Sequence, residues 1–205
     1  MPAVKVVLLA AFAFLTLALV AALLWFVRGA QRQPLPVLSA VADFTLVNRD
    51  GRTVTLADFE GRPWIADFIF TRCYAVCPRM TQQLKKVKDS LPEGVAVASF
   101  SVDPEYDTPE VLAEYADRHR AGDGWYFLTG DLAAIDALTS KAFLLPLDRS
   151  PDPEVMASPD PILHSNRFVL VDGEARIRGY YDAFDPAEIH RLLGDAKWLL
   201  AESRP

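Results

Sequence analysis

Cys73 and Cys77 are the only cysteines in a chain of 205 residues, and they stand four positions apart. Residues at that spacing share one face of a helical turn. Two sulfurs held together can close a disulfide or grip a soft metal ion. Two cysteines are too few for a disulfide scaffold, so the pair reads as a site. Arg72 and Arg79 flank it and a helix opens there, and both features favour thiolate over thiol. The structural alternative is a staple. A loop so short removes only ~2 kcal/mol of unfolded-state entropy, modest beside the core of a domain this size.

A metal needs more donors than two. His119 ends a charged helix, where it caps carbonyls, and His190 lies beside Arg191 on the final helix as solvated surface. His164 differs, because it follows a Pro- and Asp-rich stretch and precedes an apolar strand. A lone histidine is more often structural, but imidazole is a common ligand for copper and zinc, so His164 is the candidate third donor. A Cys2His set is one ligand short of a closed structural zinc site. It suits Cu(I), or Cu(II) with added ligands.

The elements that position these residues follow from periodicity and turn signals. Phe44–Val47 and Arg52–Thr55 flank Asn48–Gly51, a hairpin signal. Trp64–Phe70 is a nearly continuous apolar run that predicts a central strand ending just before Cys73. Pro78 opens a predicted helix carrying Met80, Leu84, Val87 and Leu91 on one face. Val95–Val102 reads as a second buried strand. Thr108–Pro109–Glu110 starts a helix that runs to about His119. Trp125–Leu128 reads as a short strand, 131–143 as a helix and 146–161 as loop. Arg167–Val171 and Ala175–Gly179 flank a second turn signal, Asp172–Gly173, and Pro186–Leu200 closes the chain as a helix. Strands alternating with helices imply an α/β layered fold with a mixed sheet.

Val6–Val27 holds 22 residues without a charge, and Thr16 is its only polar member. As a helix it would span about 33 Å, enough to cross a hydrocarbon core of ~30 Å. Its length, and an exit at Arg28–Gly29–Ala30–Gln31 unlike a cleavage site, argue for an uncleaved anchor rather than a signal peptide. Residues 1–27 are thus read as a transmembrane anchor, 28–42 as a Pro-containing tether and 43–205 as the folded body. Net charge is −6, and the first 33 residues hold Lys5, Arg28 and Arg32 without an acid, so the body is still more acidic. That balance excludes nucleic acid as a partner, because phosphate backbones are bound by excess Lys and Arg. Positive charges on both sides of the span leave orientation undecided by charge; the short N-terminal tail and the thiol chemistry favour an outward-facing body.

Three segments together carry a resemblance: Phe70–Thr–Arg–Cys73 with Cys77–Pro78, then Val102–Asp–Pro–Glu–Tyr–Asp–Thr–Pro109, then His164–Ser165 running into Phe168–Gly173. In this order they resemble the Sco (SenC-type) family of membrane-tethered copper proteins, over about residues 43–200. The resemblance implies a thioredoxin-like three-layer α/β fold with a mixed central sheet behind one N-terminal transmembrane helix. It implies that Cys73, Cys77 and His164 are copper ligands. It also implies a role in assembling the CuA centre on cytochrome c oxidase subunit II, at the periplasmic or other extracytoplasmic face of the inner membrane. Other copper carriers, and a thiol protein that keeps the cysteines reduced, are the further partners it implies. Asp103 would lie near the site without touching the metal, with an Asx-type turn as its structural alternative.

The sequence departs from that family's usual pattern at Tyr74 and Ala75, where Pro-Asp is frequent, and at Asp67, where glycine is frequent. Asp67 stands six residues before Cys73, the offset at which thioredoxins place a buried acid. A buried carboxyl can relay a proton to or from a thiol, or can simply be hydrogen-bonded in the sheet. The first role would make Cys73 and Cys77 the redox pair of a thiol–disulfide oxidoreductase. A peroxiredoxin-like enzyme fits less well, since Tyr74 stands where that family places threonine. A third possibility is an assembly factor or redox sensor that only docks to a membrane partner.

Overall fold

The computed structural model describes residues 11–23, 34–74, 76–149 and 162–203. The chain divides between Pro34 and Leu35 into two compact units. In the first, residues 11–23 form helix α1, whose apolar side chains, among them Phe12, Phe14 and Leu17, are exposed. Thr16 Oγ1 donates back to the carbonyls of Phe12 and Ala13, which satisfies the one hydroxyl of the segment. The predicted span 6–27 runs past the described residues at both ends. Among the described residues no helix is long and apolar enough to cross a membrane.

In the second unit the strands are β1 (Ser39–Ala40), β2 (Thr45–Asn48), β3 (Thr53–Thr55), β4 (Trp64–Ile69), β5 (Ala96–Ser101), β6 (Trp125–Thr129), β7 (Leu147–Arg149), β8 (Ile162–His164), β9 (Arg167–Val171) and β10 (Arg176–Asp182). The helices are α2 (Val76–Ser90), α3 (Pro109–Arg118), α4 (Leu132–Ala137) and α5 (Pro186–Glu202). Eight described strands make one mixed sheet in the order β1-β10-β9-β4-β5-β6-β2-β3, and β7 pairs with β8 apart from it. β4, β5 and β6 run parallel, in the register Asp67 opposite Ser99 and Ser99 opposite Phe127, while β9 lies antiparallel against β4.

Every residue of β4 and β5 is buried, as expected of strands covered on both faces. Alternation sorts them. Trp64, Phe68 and Phe100 point to one face and pack with Phe59 and Phe143, at ring separations of 4.6 to 6.2 Å. Asp67 and Ser99 point to the other, where the Trp125 indole donates to Ser99 Oγ and Trp125 stacks on Phe127. Tyr115 of α3 meets Phe127 there and shares a hydrogen bond of 2.8 Å with Thr81 of α2. The sheet is thus a middle layer.

Four expectations from the sequence shift. The body starts at Leu35 rather than Asp43: β1, expected inside the tether 28–42, pairs with β10, and buried Arg178 donates to the carbonyls of Leu35 and Pro36. α2 starts at Val76, two residues before Pro78, which costs no hydrogen bond because the first amides of a helix have no partner inside it. The helix expected over 131–143 narrows to α4 and then widens into a π turn over Leu138–Ala142. Part of the stretch expected as loop, Leu147–Arg149, is a strand; its residues 150–161 lie outside the described ones. A three-residue strand is too short to show a period.

Candidate metal centre

β4 delivers the chain at Phe70, and Cys73 N donates to the Phe70 carbonyl to turn it. Cys73 stands at that turn with 5% of its surface exposed, and Cys77 sits in the first turn of α2 with none. The Cys77 amide donates to Cys73 Sγ at 3.3 Å, so the first sulfur caps the helix that carries the second. Both residues are thiols.

The sequence favours thiolates here, and for Cys77 the structure reverses this. The hydrogen bond with Cys73 and burial push the Cys77 thiol well up from its ordinary value, and the negative charges of Cys73 and Asp67 add to that. The two arginines are committed elsewhere. Arg72 pairs with Asp103 at 2.6 Å and lies 4.7 Å over the Tyr106 ring, and Arg79 lies 4.8 Å over Phe184. Asp103 is therefore an ion-pair partner that ties the β5–α3 loop to the cysteine turn. No Asx-type bond from its carboxylate to a backbone amide is seen among the described residues; its own amide donates to Ser101 Oγ.

Asp67 is fully buried, and its Oδ1 accepts from Ser99 Oγ. Its charge also raises the Cys77 and Tyr115 hydroxyl or thiol values. Asp67 is thus hydrogen-bonded within the sheet and near enough to the second sulfur to act on it electrostatically. His164 closes β8, opposite Leu147 of β7, and its side chain lies outside the described atoms. Among the described residues no group of three or more His, Cys, Asp or Glu converges as a metal cage. Of the predicted ligands, the structure thus brings together Cys73 and Cys77. His119 packs 4.5 Å from the Tyr115 ring at the end of α3, half-buried, with its value lowered by burial and by Arg118.

Sequence reasoning missed Asp107. This carboxylate is completely buried and accepts from the Thr71 amide, the Thr71 hydroxyl and Ser101 Oγ. It fixes Thr71, two residues before Cys73, against the loop after β5. Burial raises its value, and the Ser101 and Thr71 hydrogen bonds offset this only in part. The only signal was a second aspartate in 102–109, and nothing in the sequence links it to a threonine 36 positions away.

A cleft of about 630 Å³ opens beside the turn, lined by Val76, Leu144, Leu145, Arg167, Tyr180 and Phe184 among others. Leu144 stands on its rim, 59% exposed, with φ at 53°. A side chain in that left-handed region costs roughly 1–2 kcal/mol, a cost glycine would avoid.

The SCO1/SenC family model matches residues 33–199. The SCO1 protein homolog of Bacillus subtilis is 32% identical over 174 residues, covering 82% of this chain and 87% of that protein. The solved structure of BsSco, described as a member of the Sco family of cytochrome c oxidase assembly proteins with a disulfide switch, is 32% identical. It has a TM-score of 0.67, with 82% of this chain and 99% of that one covered. ScoI of Bradyrhizobium japonicum, solved with copper bound, is similar in fold at a TM-score of 0.66 and 23% identity, covering 80% of this chain and 100% of that one.

Proposed function

Since the chain belongs to the SCO1/SenC family, we propose that it is a membrane-anchored copper metallochaperone that delivers copper to the CuA site of cytochrome c oxidase subunit II. Copper is its cargo. Cys73 and Cys77 supply two soft sulfur ligands, and His164 supplies an imidazole. The observation that carries the reading is the sulfur pair itself: two thiols joined through one helix-start amide at the lip of a turn, inside a family that includes copper-bound relatives. Residues 6–27 anchor the chain in the inner membrane, with the body on the extracytoplasmic side, on the strength of the uncharged 22-residue run. Oxidation of the pair to a disulfide removes the ligands, so a partner thiol protein must keep them reduced.

Asp67 favours a second reading, thiol–disulfide exchange, in which it moves a proton to or from Cys77. Copper loading of the reduced chain, with and without His164→Ala, tests the first reading: affinity and spectrum should change, and unchanged values remove His164 from the ligand set. For the second, Asp67→Asn should slow disulfide exchange several-fold, and an equal rate excludes Asp67 from it.

A further inference from the structure

Apolar side chains stand out of the fold around the cysteine turn. Tyr74 is 78% exposed, Leu144 59%, and Val76 and Phe184 38% each. The last three line the cleft of about 630 Å³. Two guanidiniums edge it: Arg167 is part of its wall, and Arg79 lies against Phe184. Neither has an ion-pair partner among the described residues, whereas nearby Arg72 is neutralised by Asp103. An apolar floor edged by two guanidiniums that have no ion-pair partner among the described residues is therefore set into a chain of net charge −6.

We propose that this cleft is the docking surface for the protein that receives the copper, and that it takes a segment presenting an apolar side chain flanked by carboxylates. This rests on the delivery reading and adds the place and chemistry of contact. Charge complementarity argues for it: an acidic partner is repelled by most of this body and attracted where Arg79 and Arg167 stand, which orients the encounter. Continuity argues for it as well. The cleft is lined by Val76, the residue before Cys77, so a segment seated in it contacts the first turn of the helix that carries the second sulfur. Leu144 supplies the apolar rim, with most of its side chain facing solvent from the αL position that ends the π turn.

The test uses the full-length, copper-free chain in detergent and the purified, copper-free CuA domain of subunit II as probe, titrated for binding. Leu144→Gly, which suits the positive φ and so folds, should weaken docking on the order of tenfold, as loss of a buried anchor does at an interface. Arg167→Glu should do the same and lose part of the salt dependence of the wild type. Copper loading of both variants should match the wild type. Weakened docking by the variants, together with a wild type that fails to load copper when copper is offered, would support the surface while removing the delivery reading. Equal docking by wild type and both variants overturns the proposal. So does a loss seen only against phosphatidylglycerol vesicles, which would assign the cleft to a lipid surface.

Discussion

In the turn between β9 and β10, Asp172 is buried and bound to two guanidiniums, Arg178 at 2.6 Å and Arg176 at 2.8 Å. At the end of β4, Asp107 is buried more deeply still and, among the described residues, is bound to the Ser101 and Thr71 hydroxyls and the Thr71 amide. Burial alone would raise both carboxyls. At Asp172 the Arg176 amide and the two guanidiniums more than offset it and hold the group below the ordinary range, while at Asp107 burial prevails. The difference matches what each region does. Where the chain enters the body, a charged clamp grips Asp172 and the Leu35 and Pro36 carbonyls together. Next to the sulfurs, hydroxyls hold the backbone in place without adding a cation to the site.

The comparison breaks most visibly through the clamp. Arg178→Met strands a buried carboxylate and two carbonyls and should cost about 3 kcal/mol in urea unfolding; a loss below ~1 kcal/mol would mean that Arg176 and water suffice. Asp107→Ala should cost about 2 kcal/mol, because the buried Thr71 amide and hydroxyls lose their acceptor. It should also weaken copper binding on the order of tenfold, as loss of an outer support does at a metal site; unchanged affinity would make Asp107 a purely structural residue. The smallest effect is a difference in sign with pH. Asp172 has a lowered value, so its stabilisation is present above the ordinary carboxyl value of 3.8 and is lost as pH falls through its lower folded value. Asp107 has a raised value, so its contribution is most favourable below 3.8 and is lost as pH rises through the folded value. Unfolding of Asp172→Asn and Asp107→Asn against wild type across acid pH should therefore diverge, and parallel curves would contradict the assignment.

Local signals were the legible ones. Trp64–Ile69 reads as a buried strand because it is apolar on both faces, and Thr108 as a helix cap because Pro109 and Glu110 follow it. The cysteine pair was legible for the same reason, since spacing and the strand-to-helix junction are properties of a few neighbouring residues. Relations between distant residues were not. The Asp107–Thr71 contact, and the Arg72–Asp103 pair that withdraws an arginine from the sulfurs, appear only once β5 lies beside β4. Burial of Cys77 likewise depends on α2 meeting α3 through Thr81 and Tyr115. The hydrogen bond with Cys73 and that burial reversed the thiolate expectation for Cys77, which rested on the helix start and neighbouring arginines alone.

X-ray absorption at the copper edge of the reduced, Cu(I)-loaded full-length chain addresses the copper centre directly. One copper per chain with two sulfur neighbours and a nitrogen is expected, the sulfurs disappearing in Cys73→Ser/Cys77→Ser and the nitrogen in His164→Ala. A copper shell of nitrogen and oxygen alone, or one that survives loss of both cysteines, would contradict it.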